Sequence, residues 1–219
     1  MVVRRALSVG LAASLYGVSL GALGVAAGLT VAQTCVTSLL LFTGGSQFAL
    51  VGIIGGGGSA ASAITASSLL GIRNGLYGLQ LKPILQVRGL RRVAAAQLTI
   101  DESTAVSVTQ DEPAQQRRGF WITGAVIFVG WNVTTFIGAL AGDALGDPKQ
   151  YGLDAAAAGA FLGLLWPRLS SREPVAVAVG AAVVAAVLIP WVPSGVPVLA
   201  AATVAVVVGL TNWLGKATA

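Results

Sequence analysis

Three long stretches of the chain, Ala6–Ile72, Gly119–Gly142 and Pro174–Gly215, contain no Asp, Glu, Lys or Arg. Within them apolar positions run on instead of alternating with polar ones. Alternation would mark the strands of a transmembrane barrel, and open sheet edges are not tolerated against lipid, so the pattern predicts helices. Gly and Pro punctuate the runs into hydrophobic helices near Leu7–Leu29, Thr34–Gly57, Ala60–Leu81, Gly119–Gly142, Tyr151–Trp166, Val175–Pro190 and Gly195–Gly215, with a weaker segment at Val93–Thr109. A helix of about 20 residues crosses roughly 30 Å of hydrocarbon, and most of these are long enough. The expected fold is an all-α polytopic membrane protein, one transmembrane domain over residues 1–219, with about seven hydrophobic helices and one or two broken or re-entrant segments.

Composition agrees, with 55% apolar and only 10% charged residues. The start, Arg4-Arg5 before an apolar run, imitates a secretory signal, but the run is too long for one and reads as a retained helix. Net charge is +5. The basic residues sit at the ends of apolar runs, as Arg4/Arg5, Lys82/Arg88/Arg91/Arg92, Arg117/Arg118, Arg168/Arg172 and Lys216. That placement is a topology signal rather than a nucleic-acid footprint, and it puts these groups and the N-terminus in the cytoplasm of a cell-membrane protein.

The charges constrain the first half of the chain. If the first three segments all crossed, the group around Arg88–Arg92 would face outward. Thr34–Gly57 is the segment best suited to dip in and return, since Gly44-Gly45 interrupts it and Gly55–Gly58 ends it. Val93–Thr109, bracketed by Arg92 and Arg117, should do the same from the cytoplasmic side, so that the two meet near the midplane. The alternative is that both segments cross and the basic-residue count fails locally.

Arg73 stands alone in apolar sequence, its nearest charged neighbours being Arg5 and Lys82. A charge at a helix centre costs roughly 2.5–3.5 kcal/mol on insertion scales, so it should face the interior and find an acid, unless the helix ends early and the side chain snorkels. Asp101-Glu102 are the available acids; together they could meet an ammonium group, carry a proton, neutralise Arg73, or merely sit in a solvated loop. With Gly44, Gly45, Ser46, Gln47, Asn74 and Tyr77 they outline a site suited to a small zwitterion with an apolar side chain. Other features have plainer explanations. Gly17-x-x-x-Gly21, Gly24-x-x-x-Gly28 and Gly138-x-x-x-Gly142 read as faces for close helix packing. Asp143, Asp147 and Asp154 read as caps around a turn. The chain has no His and a lone Cys35, so neither a His-based triad nor a zinc site of the usual kind can form, and no metal or cofactor is expected.

At these residues a family resemblance emerges. The order Tyr16-Gly-x-x-Leu-Gly, Leu41-Phe-Thr-Gly-Gly-Ser-Gln47-Phe, Arg73-Asn-Gly-Leu-Tyr77-Gly-Leu-x-Leu, Asp101-Glu102-Ser-x-Ala, Gly138-x-x-x-Gly-Asp143 and Gly152-Leu-Asp154 resembles the AzlC family, the large subunits of branched-chain amino acid exporters. The resemblance implies efflux of valine, leucine, isoleucine or similar residues, driven by proton or ion exchange, with a small AzlD-like membrane subunit as partner. It implies transport, not enzymatic chemistry. The chain departs from the family pattern at the site: Gly71 stands where Asn is usual, Asn74 where His is frequent, Ile100 where Thr commonly precedes the acids, and Thr104 where an aromatic is common. Without the His, coupling falls on Asp101 or Glu102. A different class, a membrane scaffold whose glycines and charges serve only helix packing, is the competing reading.

Overall fold

Glycines set the central helix crossing. In the computed structural model, which describes residues 1–145, 162–163, 165–166, 169–192 and 195–211, α1 (Val2–Ser14) and α2 (Tyr16–Ala26) form one nearly continuous apolar run. It lies along α8 (Pro113–Ala144). Contacts advance together along both, with Gly10 against Val126, Gly17 against Trp131, Gly21 against Thr135 and Gly142 against Ala22, so the helices are parallel. At Gly21 and Gly138 the opposing backbone occupies the space a Cβ would need: Thr135 carbonyl in one case, Val18 carbonyl in the other. Small residues are what let two backbones approach this closely where no hydrophobic effect drives helices together. The packing reading of Gly17, Gly21, Gly138 and Gly142 therefore holds. Gly28 departs from it, since it lies in the turn after α2 with φ 91° and nothing nearby. The regular helical hydrogen bonding is interrupted at Leu15, where the Thr134 hydroxyl donates to the Ser14 carbonyl and the Val18 amide bonds Leu15 instead.

The segment expected over Thr34–Gly57 is two helices, α3 (Val31–Leu40) and α4 (Gly45–Gly55). Thr34 packs on Gly24 and Gly55 packs on Ala27. Both ends of the pair therefore flank the C-terminal end of α2, and the segment enters and leaves the bundle at one end. Helix α5 (Ala60–Leu85) then runs the length of the bundle. Its inward positions, Ala63, Ala66, Ser67, Arg73, Asn74, Tyr77, Leu81 and Leu85, recur at helical spacing, while Ile64, Ile72, Leu76 and Leu79 are exposed apolar residues that suit lipid.

Val93–Thr109 is likewise two short helices, α6 (Leu90–Gln97) and α7 (Asp101–Val108). Ala95 joins Leu81, Leu85 and Phe120, Leu98 meets Gly124, Ile100 joins Ile127 and Trp131, and Val106 returns to Gly119 and Val2. This segment also turns back inside the bundle, from the opposite end. Arg4, Arg5, Lys82, Arg88, Arg91, Arg92, Arg117 and Arg118 consequently gather at the same end, where Arg117 Nε donates to the Ile84 carbonyl (2.7 Å).

At the C-terminal side, α9 (Arg172–Leu188) and α10 (Val196–Thr211) pair with each other and reach the rest through Gly195, against Ser62 and Ile53, and through Leu199. By length and composition, Val2–Ala26 and Pro113–Ala144 suffice among the described residues to cross a membrane. The helix expected over Tyr151–Trp166 lies largely outside the described residues, as do Asp147, Lys149, Asp154, Arg168 and Lys216. Asp143 is not in a turn; it is exposed in the last turn of α8.

Gly21→Ala or Gly138→Ala should therefore lower stability by about 1–3 kcal/mol, through overpacking. Gly75→Ala, at a position with open space around it, should be neutral or slightly stabilising. Thermal unfolding of the detergent-solubilised protein distinguishes the two classes; equal shifts would contradict the crossing.

Candidate functional site

The two helix breaks meet. Between α3 and α4 the chain makes its turn at Gly44 (φ 66°, ψ −98°), a conformation open to glycine and strained for other residues. Gln47 secures that turn. Its Oε1 accepts from the Gly44 amide (3.2 Å) and its Nε2 donates to the Ser38 carbonyl (3.4 Å), and the side chain is fully buried. Between α6 and α7, Ser103 plays the same part, accepting from the Ile100 amide (3.1 Å) and donating to the Leu98 carbonyl (2.7 Å). Gln97 Nε2 then ties one break to the other by donating to the Leu39 carbonyl (2.8 Å) at the end of α3. Free backbone groups at helix ends must find such partners in a bundle that excludes water.

Arg73, halfway along α5, reaches both breaks. Nη1 lies 3.0 Å from Asp101 Oδ2 and Nη2 donates to the Thr43 carbonyl (3.3 Å). The pair is largely withdrawn from solvent, with side-chain exposures of 27% and 22%. Asp101 and Glu102 also occupy the first turn of α7, where the positive helix end favours a carboxylate. Snorkelling is thus excluded by the geometry, and so is a solvated-loop setting for Asp101. It is the one ion pair among the described residues.

Beside the pair lies a cavity of about 320 Å³, at the small end of the roughly 300–1,000 Å³ typical of ligand pockets. Thr43, Gly44, Gly45, Arg73, Asp101 and Glu102 line its polar side; Phe42, Leu70, Ile100, Ile127 and Trp131 line its apolar side, with Tyr16 at its edge. Three buried donors on its lining residues have no hydrogen-bond partner among the described residues: Arg73 Nε, the Thr43 hydroxyl and Trp131 Nε1, the last on a side chain only 6% exposed. Buried donors left unpaired in this way cost free energy and mark places where a polar ligand group would be stabilised.

Of the sequence-predicted residues, Gly44, Gly45, Arg73, Asp101 and Glu102 converge on the cavity. Ser46, Gln47, Asn74 and Tyr77 do not line it. Gln47 holds the break, and buried Ser46 lies against α5 at Gly71. Sequence reasoning missed Trp131, Phe42, Thr43 and Tyr16. Phe42, Thr43 and Tyr16 fall inside the motifs that carry the family resemblance, which was a usable signal. Trp131 had none, because an aromatic in an apolar span looks like core packing, and its ring does stack edge-on against Phe48.

Removing one member of the pair, by Arg73→Met or Asp101→Leu, is expected to lower stability by about 1–3 kcal/mol. That is less than the roughly 3–5 kcal/mol for fully buried pairs, since both side chains keep some access to solvent. The double substitution should recover much of the loss. A double-mutant cycle of thermal unfolding with strictly additive losses would show the two residues to be uncoupled.

Comparison with known proteins supplies the remaining finding. No curated protein and no solved structure matches the chain significantly. A family model described as AzlC protein matches residues 8–145, well over half of the chain and all of the residues that build the two breaks, the Arg73–Asp101 pair and most of the cavity wall. The chain belongs to the AzlC family, membrane proteins of branched-chain amino acid transport and not enzymes.

Proposed function

We propose that the protein exports branched-chain or similar small apolar amino acids across the cytoplasmic membrane, by proton or ion exchange, together with a small AzlD-like subunit. The observation that carries this reading is the guanidinium at the centre of α5, held between a helix-break carbonyl and Asp101 on the wall of a small, mostly apolar cavity. Broken helices at membrane depth are where transporters present backbone ends to ions and substrates.

An amino acid matches the groups available. Its carboxylate finds cationic and N–H donors in Arg73, Trp131 and the N-terminal turn of α4. Its ammonium finds Asp101 or Glu102. Phe42, Ile100 and Ile127 offer a branched side chain apolar contact. The terminal nitrogens of Arg73 hold Asp101 and the Thr43 carbonyl while Nε has no partner among the described residues, so a substrate carboxylate that takes Nε and Nη1 together competes with Asp101 for the guanidinium. Asp101 displaced in this way can pair with the ammonium, which leaves the net charge of the site unchanged, or take up a proton, which raises it by one. Coupling follows from the second outcome alone, in which the amino acid enters the site together with one proton on Asp101. The small partner subunit belongs to the same reading, on the strength of family membership.

Cells loaded with a valine-containing dipeptide test the reading. Deletion of the gene should raise intracellular valine and arrest growth, provided the partner subunit is present in the parent; unchanged valine and growth would exclude valine export. Restoring the gene as Arg73→Ala should leave export abolished, and Arg73→Lys should retain little, since a point charge replaces a planar fork. Export at the parental rate by Arg73→Ala would remove Arg73 from the site. Substrate counterflow in proteoliposomes, present with the partner and lost in Arg73→Ala, separates a transporter from a packing scaffold.

A further inference from the structure

A second cavity, of about 750 Å³, opens at the basic end of the bundle, away from the Arg73 site. Its walls come from three elements: the turn after α5, the first turns of α6, and the N-terminal part of α8. Arg88, Arg91 and Arg117 converge on it, with Gln86 and Trp121. The turn that delivers Arg88 is built for the purpose of a sharp reversal, since Gln86 takes the left-handed conformation (φ 52°) and Gly89 has φ 56°. Arg117 is anchored by its Nε on the Ile84 carbonyl, which leaves its two terminal nitrogens for another acceptor. None of the three arginines forms an ion pair among the described residues.

Three exposed arginines line one opening, and the planar fork of a guanidinium matches the oxygens of a phosphate. The rest of the surroundings is apolar. Leu90 and Val93, one helical turn apart on α6, are 88% and 67% exposed, and the Trp121 ring completes the wall. A cationic opening joined to an apolar face is the boundary where a lipid headgroup meets its chains, and basic pockets between membrane helices on this pattern hold anionic headgroups. Trp at such a level is itself an interfacial residue.

We propose that this cavity binds the phosphate of an anionic phospholipid, with Arg88, Arg91 and Arg117 on its oxygens and the acyl chains along Leu90 and Val93. Such a lipid bridges the turn after α5, the start of α6 and the N-terminal part of α8.

The test uses the full chain in phosphatidylcholine nanodiscs, with and without phosphatidylglycerol, following thermal unfolding and the lipids retained in native mass spectrometry. Phosphatidylglycerol is expected to raise the unfolding temperature and to leave one retained anionic lipid. Arg88→Gln/Arg91→Gln, which spares the Arg117–Ile84 link, should weaken retention about tenfold or more and remove most of the shift. Arg4→Gln/Arg5→Gln, the same change in charge elsewhere at that end, should leave both intact. Equal responses of the two double variants would overturn the proposal in favour of general surface attraction. An equal shift with inorganic phosphate alone would overturn the lipid source.

Discussion

A guanidinium placed at the centre of a membrane helix has to be paired, and most of this bundle is arranged so that it is. Arg73 lies three turns from either end of α5 and is only partly exposed. It requires an acceptor at mid-depth, and a regular helix offers none, because its carbonyls are already bonded within the helix. Two interrupted segments meet that requirement. One brings the Thr43 carbonyl, freed by a break, and the other brings Asp101 at a helix N-terminus. The cavity lies where the two breaks meet, and Thr43 and Asp101, which satisfy Arg73, are both on its wall.

Holding two breaks in that position places demands on the rest of the chain. Each exposes amides and carbonyls that water cannot satisfy, and the chain answers with short polar side chains set three residues after the cap: Gln47 for one, Ser103 for the other. Gln97 joins them. Around the breaks, the long helices have to be rigid neighbours, which the glycine contacts between α2 and α8 provide by close backbone approach.

Much of this was legible in the sequence because charge inside a membrane is so costly. A solitary Arg73 and the only nearby acids predict a pairing, and basic groups that must share one end predict that two segments turn back. The interruption at Gly44-Gly45 followed from glycine's conformational freedom. Less legible was anything governed by side-chain direction. Ser46, Gln47, Asn74 and Tyr77 are polar and adjacent to the right glycines or to Arg73, yet helical rotation turns them away from the cavity wall. Trp131 is invisible for the converse reason, as an apolar-span aromatic that lines the cavity and carries a buried indole N–H. Gly28 repeats the spacing of a packing face but serves a turn, since i, i+4 spacing fixes a face only where the helix continues.

The account stands on two segments that turn back at Arg73 from opposite ends. Labelling with a membrane-impermeant maleimide in a Cys35→Ser background tests that directly, with single cysteines at Ala32 and Ala60, which bracket α3–α4, and at Arg92 and Ala114, which bracket α6–α7. The arrangement requires Ala32 and Ala60 to be labelled from one side of the membrane, and Arg92 and Ala114 from the other. Labelling of Ala32 and Ala60 from opposite sides would mean that the first segment crosses, and Arg73 would then lose the break that holds it.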